Sequence, residues 1–165
     1  MTALSQDAIE STAIAGVTLT PLRQLVDERG AVLHMLRNDA LNFGGFGECY
    51  FSEVNPGIVK AWKLHQQQTQ NIAVPIGRIY MALYDDRPTS DTYQAQLQFE
   101  LGRPDAYQLL QIPPGIIYGF QCISTVPALL VNCASIPHDP LESHLYSLAE
   151  LEDKIQVSWP GLSTK

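Results

Sequence analysis

One histidine stands out in the stretch VKAWKLHQQQTQNIAVPIGRIYMALYDDRPTS, residues 59–90. His65 closes an alternating apolar run, shares a strand face with Lys63, and is followed closely by Gln67 and Gln70. An imidazole titrates near neutrality and so suits a general base. The bland alternative is an ordinary histidine on a strand. Polar side chains gathered on the face of an apolar strand, however, cost free energy unless they are solvated or partnered. Such a group suits the mouth or lumen of a barrel that takes a polar ligand.

A metal centre needs donors that this stretch does not supply. Metal-binding cupin barrels pair two closely spaced histidines with a carboxylate and add another histidine after a Pro-Gly turn. Here the position two after His65 is Gln67, and no acid follows nearby. The Pro-Gly turn is present as PPGIIYGF, but Tyr118 stands where the last histidine belongs. Amide and phenol oxygens replace imidazole poorly around a transition metal. No metal is expected, and a metal-dependent oxygenase is the least favoured reading.

The elements that must position these residues read as short strands. In YQAQLQFEL, Tyr93, Ala95, Leu97, Phe99 and Leu101 alternate with Gln94, Gln96, Gln98 and Glu100, the pattern of a half-buried strand. GIVKAWKLH puts Trp62 and Leu64 on one face and Lys63 and His65 on the other. GRIYMALYDD, YQLLQI and PALLVNCAS are further strands, separated by turn signals such as DDRPTSD, LGRPD, PPG and STVP. HLYSLAELEDKI has helical spacing, which predicts one or two short C-terminal helical turns. SQDAIESTAIAG is a weaker helical signal, and residues 1–15 read equally as a tail. Many short strands with little helix predict one all-β domain over residues 1–165, a sandwich or barrel.

The bulk numbers fit that picture. A chain of 165 residues, 45% apolar and 16% charged, can bury a core of its own. A net charge of −7 argues against a general binder of nucleic acid or anionic membranes, though not against a small anionic ligand. The N-terminus MTALSQDAIESTAIAG lacks the basic and apolar segments of a secretory signal, so a cytoplasmic protein is expected. Cys49, Cys122 and Cys133 have no close paired spacing and read as buried thiols.

The segments LVDERGAVLHML, FGECYFSEVNPGIVKAWKLHQQ, GRIYMALYDDRPTSDT, LLQIPPGIIYGFQ and VSWP occur in this order over about residues 21 to 160. Together they resemble the dTDP-4-dehydrorhamnose 3,5-epimerases. The resemblance implies a jelly-roll cupin barrel, usually a homodimer exchanging N-terminal strands, without metal or organic cofactor. It also implies a substrate, a nucleotide-linked 4-keto-6-deoxy sugar. The ketone acidifies the protons on C3 and C5, so a base can remove one to give an enolate. An acid on the other face of the sugar then returns a proton with inversion.

Carried over residue by residue, the resemblance makes His65 the base. Lys63 stands for a lost cation near the diphosphate or the enolate. Gln70 takes the place of a lysine that helps hold the enolate, and Gln67 lies beside it. Arg29 in DERG matches a nucleotide-contacting arginine. Glu48 and Tyr50 replace a Gln and an Asn near the nucleotide base. Asn132 replaces the acid tyrosine, leaving a group that binds sugar oxygens but donates no proton with a usable pKa. Tyr118 is then the candidate acid, or equally an aromatic that stacks on the ligand. Arg87 in DDRPTS reads as a structural ion-pair residue or as a sugar-phosphate ligand. No equivalent of the aspartate that orients the base is legible, and Asp139, Glu142 and Asp153 are close only in sequence. The expectation is an epimerase or isomerase of this type using His65. The alternative is a sugar-binding module that has lost the acid.

Overall fold

The computed structural model describes residues 8–162. Two antiparallel sheets face each other across an apolar interior. The first runs β1 (Glu10–Ser11), β2 (Thr18–Pro21), β10 (Gln108–Ile112), β7 (Gln70–Ile76), β12 (Ala128–Ala134) and β5 (Glu48–Val54). The second runs β13 (Ser143–Leu145), β6 (Val59–His65), β11 (Ile116–Cys122), β8 (Arg78–Asp85) and β9 (Gln96–Gly102). A separate hairpin joins β3 (Gln24–Asp27) to β4 (Gly30–Leu33). This is an all-β jelly-roll cupin architecture: alternation predicts the sandwich or barrel, and the resemblance implies the jelly roll.

Alternation decides which side chains fill the interior. Ile72, Val74 and Leu130 point inward from the first sheet, and meet Met81, Leu83 and Ile116 from the second. Burying each such side chain contributes about 1.5–3 kcal/mol. Trp62, Tyr84 and Ile117 alternate to the outer face of the second sheet, where Leu151, Ile155 and Trp159 of the C-terminal segment cover them. That cover frees the inner positions Lys63 and His65 from any duty to the outer cluster.

Two local expectations change in the structure. The strand predicted from Tyr93 begins at Gln96, because the chain turns through Gln94 at φ 68° and leaves Tyr93 exposed. The predicted C-terminal helix shortens to one 3-10 turn, Ala149–Leu151. Ser143–Leu145 instead pairs with β6, since an open sheet edge satisfies more backbone groups than an isolated helical turn would. Ser147 and Glu150 then bond each other's amides, the reciprocal arrangement that starts a helix. Of the weak N-terminal signal, residues 1–7 lie outside the described residues. Glu10–Ser11 is strand, and Ile14 is fully buried.

Candidate active site

The Pro-Gly turn fixes the end of β6. Gly115 sits at φ +84°, where its amide donates to the His65 carbonyl at 2.8 Å. A Cβ there would come within 2.5 Å of the Arg87 side chain, so the turn needs glycine. His65 itself is buried, and its Nδ1 is hydrogen-bonded to Glu142 Oε1. Glu142, also buried, accepts through Oε2 from the amides of Gln66, Gln67 and Gln68 at 3.2, 3.2 and 3.3 Å. A carboxylate so supplied with donors holds its charge. Burial pushes it up, but the His65 and amide hydrogen bonds outweigh this and leave Glu142 below its ordinary value.

That charge fixes the histidine. Nδ1–H donates to Glu142, so Nε2 carries the lone pair. Nε2 is buried and has no hydrogen-bond partner among the described residues. Desolvation lowers the His65 pKa, and the nearby Lys63 charge lowers it further, while Glu142 pulls it up; the net shift is down. The imidazole is therefore neutral at pH 7 with an unpartnered acceptor atom. Sequence reasoning missed Glu142: nothing in HDPLESH distinguishes it from Asp139 three residues earlier. Only the pairing of Ser143 with His65 delivers it to the imidazole.

A cavity of about 360 Å³ lies between the sheets, lined among others by Lys60, Lys63, Tyr118 and Phe120 from the second sheet and Tyr50 and Asn132 from the first. A register shift between Tyr118 and Phe120, opposite Lys60 to Lys63, lets both lysines reach it. Lys60 donates to the Glu53 carbonyl at 2.6 Å and the Ser52 hydroxyl at 3.3 Å. His65 is the next inward position after Lys63 along β6. Tyr118 stacks on its ring, with centroids 6.1 Å apart and planes 14° from parallel. Full burial pushes the Tyr118 phenol far above its ordinary value.

On the facing sheet, polar groups form a relay of neutral amides. Gln68 Nε2 donates to the Ile136 carbonyl at 2.7 Å, which leaves Gln68 Oε1 to accept from Gln70 Nε2 at 2.8 Å. Gln70 Oε1 accepts from Asn132 Nδ2 at 2.5 Å, and that amide also donates to Tyr50 Oη at 2.7 Å. The Asn71 backbone amide donates to Asn132 Oδ1 at 3.1 Å, so both ends of the relay are pinned by main chain.

The other residues singled out in the sequence lie at varying distances from this centre. Gln67 contributes its backbone amide to Glu142, while its side chain is exposed. Glu48 begins the inward face of β5, two residues before Tyr50. Arg87 is bound to Asp85 through Nε and Nη2, both at 2.8 Å, and reaches the Ala15 carbonyl at 2.7 Å. Arg29 sits at the tip of the β3–β4 hairpin, 84% exposed and paired with Asp27. Among the described residues no cluster of three or more His, Cys, Asp or Glu is placed to hold a metal. None of their helices is long and apolar enough to cross a membrane.

Residues 11–165 match the family model for dTDP-4-dehydrorhamnose 3,5-epimerase. The crystal structure of a dTDP sugar isomerase from Desulfovibrio desulfuricans G20 superposes with a TM-score of 0.85, is 46% identical, and covers 94% of this chain and 96% of that one. The probable low-salt glycan biosynthesis epimerase Agl13 of Haloferax volcanii is 33% identical over 121 residues, 72% of this chain and 77% of that protein. The spore coat polysaccharide biosynthesis protein SpsL of Bacillus subtilis is 28% identical over 146 residues, 88% of this chain and 96% of that protein.

Proposed function

The chain belongs to the dTDP-4-dehydrorhamnose 3,5-epimerase family, and we propose that it epimerises a nucleotide-linked 4-keto-6-deoxy sugar with His65 as the base. The observation that carries this reading is the state of His65: buried, neutral, tied at Nδ1 to Glu142, and unpartnered at Nε2. Nε2 takes the proton next to the ketone, and the electron pair moves onto the carbonyl oxygen as an enolate. Glu142 stabilises the imidazolium that results, as an oriented carboxylate does for other catalytic histidines. The Lys63 ammonium, facing the same cavity, supports the enolate or the diphosphate. Tyr118 stands in the same sheet as His65, which suits its phenol to donate to the ketone or a sugar hydroxyl on the base side. No cofactor is required for these steps.

The nucleotide reaches beyond the cavity, and the hairpin bearing Arg29 fits a role there. Leu25, Val26 and Val32 on that hairpin are 48%, 66% and 62% exposed. An apolar two-stranded ribbon of this kind favours cover by a second copy, in a homodimer that brings Arg29 to a nucleotide. Cys122 and Cys133 are buried as expected while Cys49 is exposed, and three free cysteines suit a cytoplasmic setting.

Incubation in D₂O with dTDP-, GDP- and CDP-linked 4-keto-6-deoxy sugars, followed by NMR, tests the base. Deuterium enters C3 or C5 with the native protein. His65→Gln lowers that wash-in by about 10³-fold or more. Equal wash-in by the variant would remove His65 from the role.

A further inference from the structure

We infer that Tyr50 is the general acid of this site, aimed from the sheet opposite His65 by the Asn132–Gln70–Gln68 amide relay. The inference rests on the epimerase reading above and adds the proton donor that reading lacks.

Stereochemistry sets the requirement. Inversion needs a proton taken from one face of the sugar ring and returned to the other. His65 on β6 and Tyr118 on β11 belong to the same sheet and lie stacked against each other. A sugar lying against them presents one face to both. Tyr50 on β5 lines the cavity that Tyr118 lines, from the other sheet. It is the register partner of Asn132, the position at which the sequence had lost its expected acid.

The hydrogen-bond directions supply the second argument. The relay has one consistent assignment, because the Ile136 carbonyl accepts only and the Asn71 amide donates only. Followed from either end, it makes Asn132 Nδ2 a donor to Tyr50 Oη. The Tyr50 oxygen is thus an acceptor in that bond, and its own hydrogen is left to point elsewhere. No other partner for the Tyr50 hydroxyl exists among the described residues, and the cavity is the space it lines. Burial holds the Tyr50 phenol above its ordinary value, and donation from Asn132 offsets part of that rise by stabilising the phenolate that forms when Tyr50 gives up its proton. Asn132 is a positioning residue here: its two amide hydrogens are already committed to Gln70 and Tyr50.

The step balances without any redox partner. His65 Nε2 removes the carbon-bound proton, and the C–H pair becomes the enolate. The enolate carbon then takes the Tyr50 Oη proton from the opposite side as the carbonyl re-forms. Imidazolium and phenolate remain, and exchange with solvent resets both.

The test separates exchange from inversion, using dTDP-4-keto-6-deoxyglucose in D₂O. The native protein shows both deuterium wash-in and formation of the epimer. Tyr50→Phe keeps the ring in place and is expected to retain wash-in within about threefold, while epimer formation falls by about 10²- to 10³-fold. Retained wash-in also reports that the variant is folded. Tyr118→Phe, on the base side, slows wash-in and inversion together. Epimer formation by Tyr50→Phe at the native rate overturns the assignment, as does loss of inversion alone in Tyr118→Phe. Absence of wash-in with the native protein instead overturns the epimerase reading itself. A double exchange, Tyr50→Asn with Asn132→Tyr, returns the phenol to the same cross-strand pair and is expected to recover inversion to within about tenfold of native. Failure to recover it in a folded protein that washes in deuterium counts against Tyr50.

Discussion

Two carboxylates are buried among the described residues, and their surroundings differ in one respect. Asp85 ends β8 with no exposure at all, and accepts from Arg87, Ser90 and Thr92 at 2.7–2.8 Å. Glu142 is almost as buried and accepts from three amides and His65. Burial raises both carboxyls, and hydrogen bonds more than offset it in both cases. The difference lies in the partner. Arg87 carries a permanent charge and spends its donors on Asp85, Ser90 and the Ala15 carbonyl, closing the network on itself. His65 is neutral and keeps one nitrogen open. A buried acid that neutralises a guanidinium holds a loop together; one that orients a neutral imidazole leaves its other nitrogen unprotonated, as the proposed base requires.

Four outcomes sharpen or break that contrast. The largest concerns Glu142→Gln, which preserves shape but removes the charge. kcat is expected to fall about 10⁴-fold in steady-state turnover, by analogy with uncharged replacements of a carboxylate behind a catalytic histidine. The acid limb of the pH–rate profile also moves to lower pH, because Glu142 is the group that pulls the His65 pKa up. A limb that stays in place would mean Glu142 does not act on His65.

Asp85→Asn comes next and should affect stability instead. Leaving Arg87 part-buried without its counter-charge costs about 2–3 kcal/mol, read as a fall of about 5–10 °C in thermal midpoint. kcat per folded molecule is expected to stay within twofold. A kcat loss like that of Glu142→Gln would erase the distinction between the two acids.

Acid denaturation follows from the same groups. Asp85 and Glu142 titrate below their ordinary values of 3.8 and 4.5, so the stability each contributes is full above those values and lost as pH falls beneath them. His65 titrates below its ordinary 6.5, so the unfolded chain binds its proton first, and this too favours unfolding as pH drops below 6.5. Denaturant midpoints measured from pH 7 to 3 should therefore decline continuously. The part of the decline below about pH 4 is flattened in Asp85→Asn.

The smallest effect belongs to Lys63→Met. Its charge lowers the His65 pKa, so removing it shifts the acid limb of the pH–rate profile to higher pH. Loss of a cation from the cavity raises KM by about tenfold, roughly the 1.4 kcal/mol of one charge-assisted contact. An unchanged KM would place the diphosphate elsewhere.

Much of this was written in local pattern. Period-two alternation located β6, β8, β10 and β12, and put Lys63 and His65 together on one face. The Pro-Gly turn marked the start of β11 and aimed Tyr118 inward. Short ordered motifs named the family from the residues alone. What local pattern misjudged has a physical cause in each case. Ser143–Leu145 carried a helical period, yet an unpaired edge of β6 was available, and pairing overrode propensity. Tyr93 continued an alternation, yet the turn at Gln94 ended it.

The sequence by itself determined the strands and singled out the histidine proposed as the base, because alternation and motif order are properties of neighbours in the chain. It could not supply the partners of that base. Glu142 lies 77 residues from His65, and Asn132 lies 82 from Tyr50. Each pair meets only because antiparallel strands bring distant positions into register. Whether Arg87 faces a ligand or Asp85, and whether a phenol stands beside the histidine or across from it, depends on which sheet each strand joins. That is decided by the packing of two sheets around one interior, and no spacing along the chain encodes it.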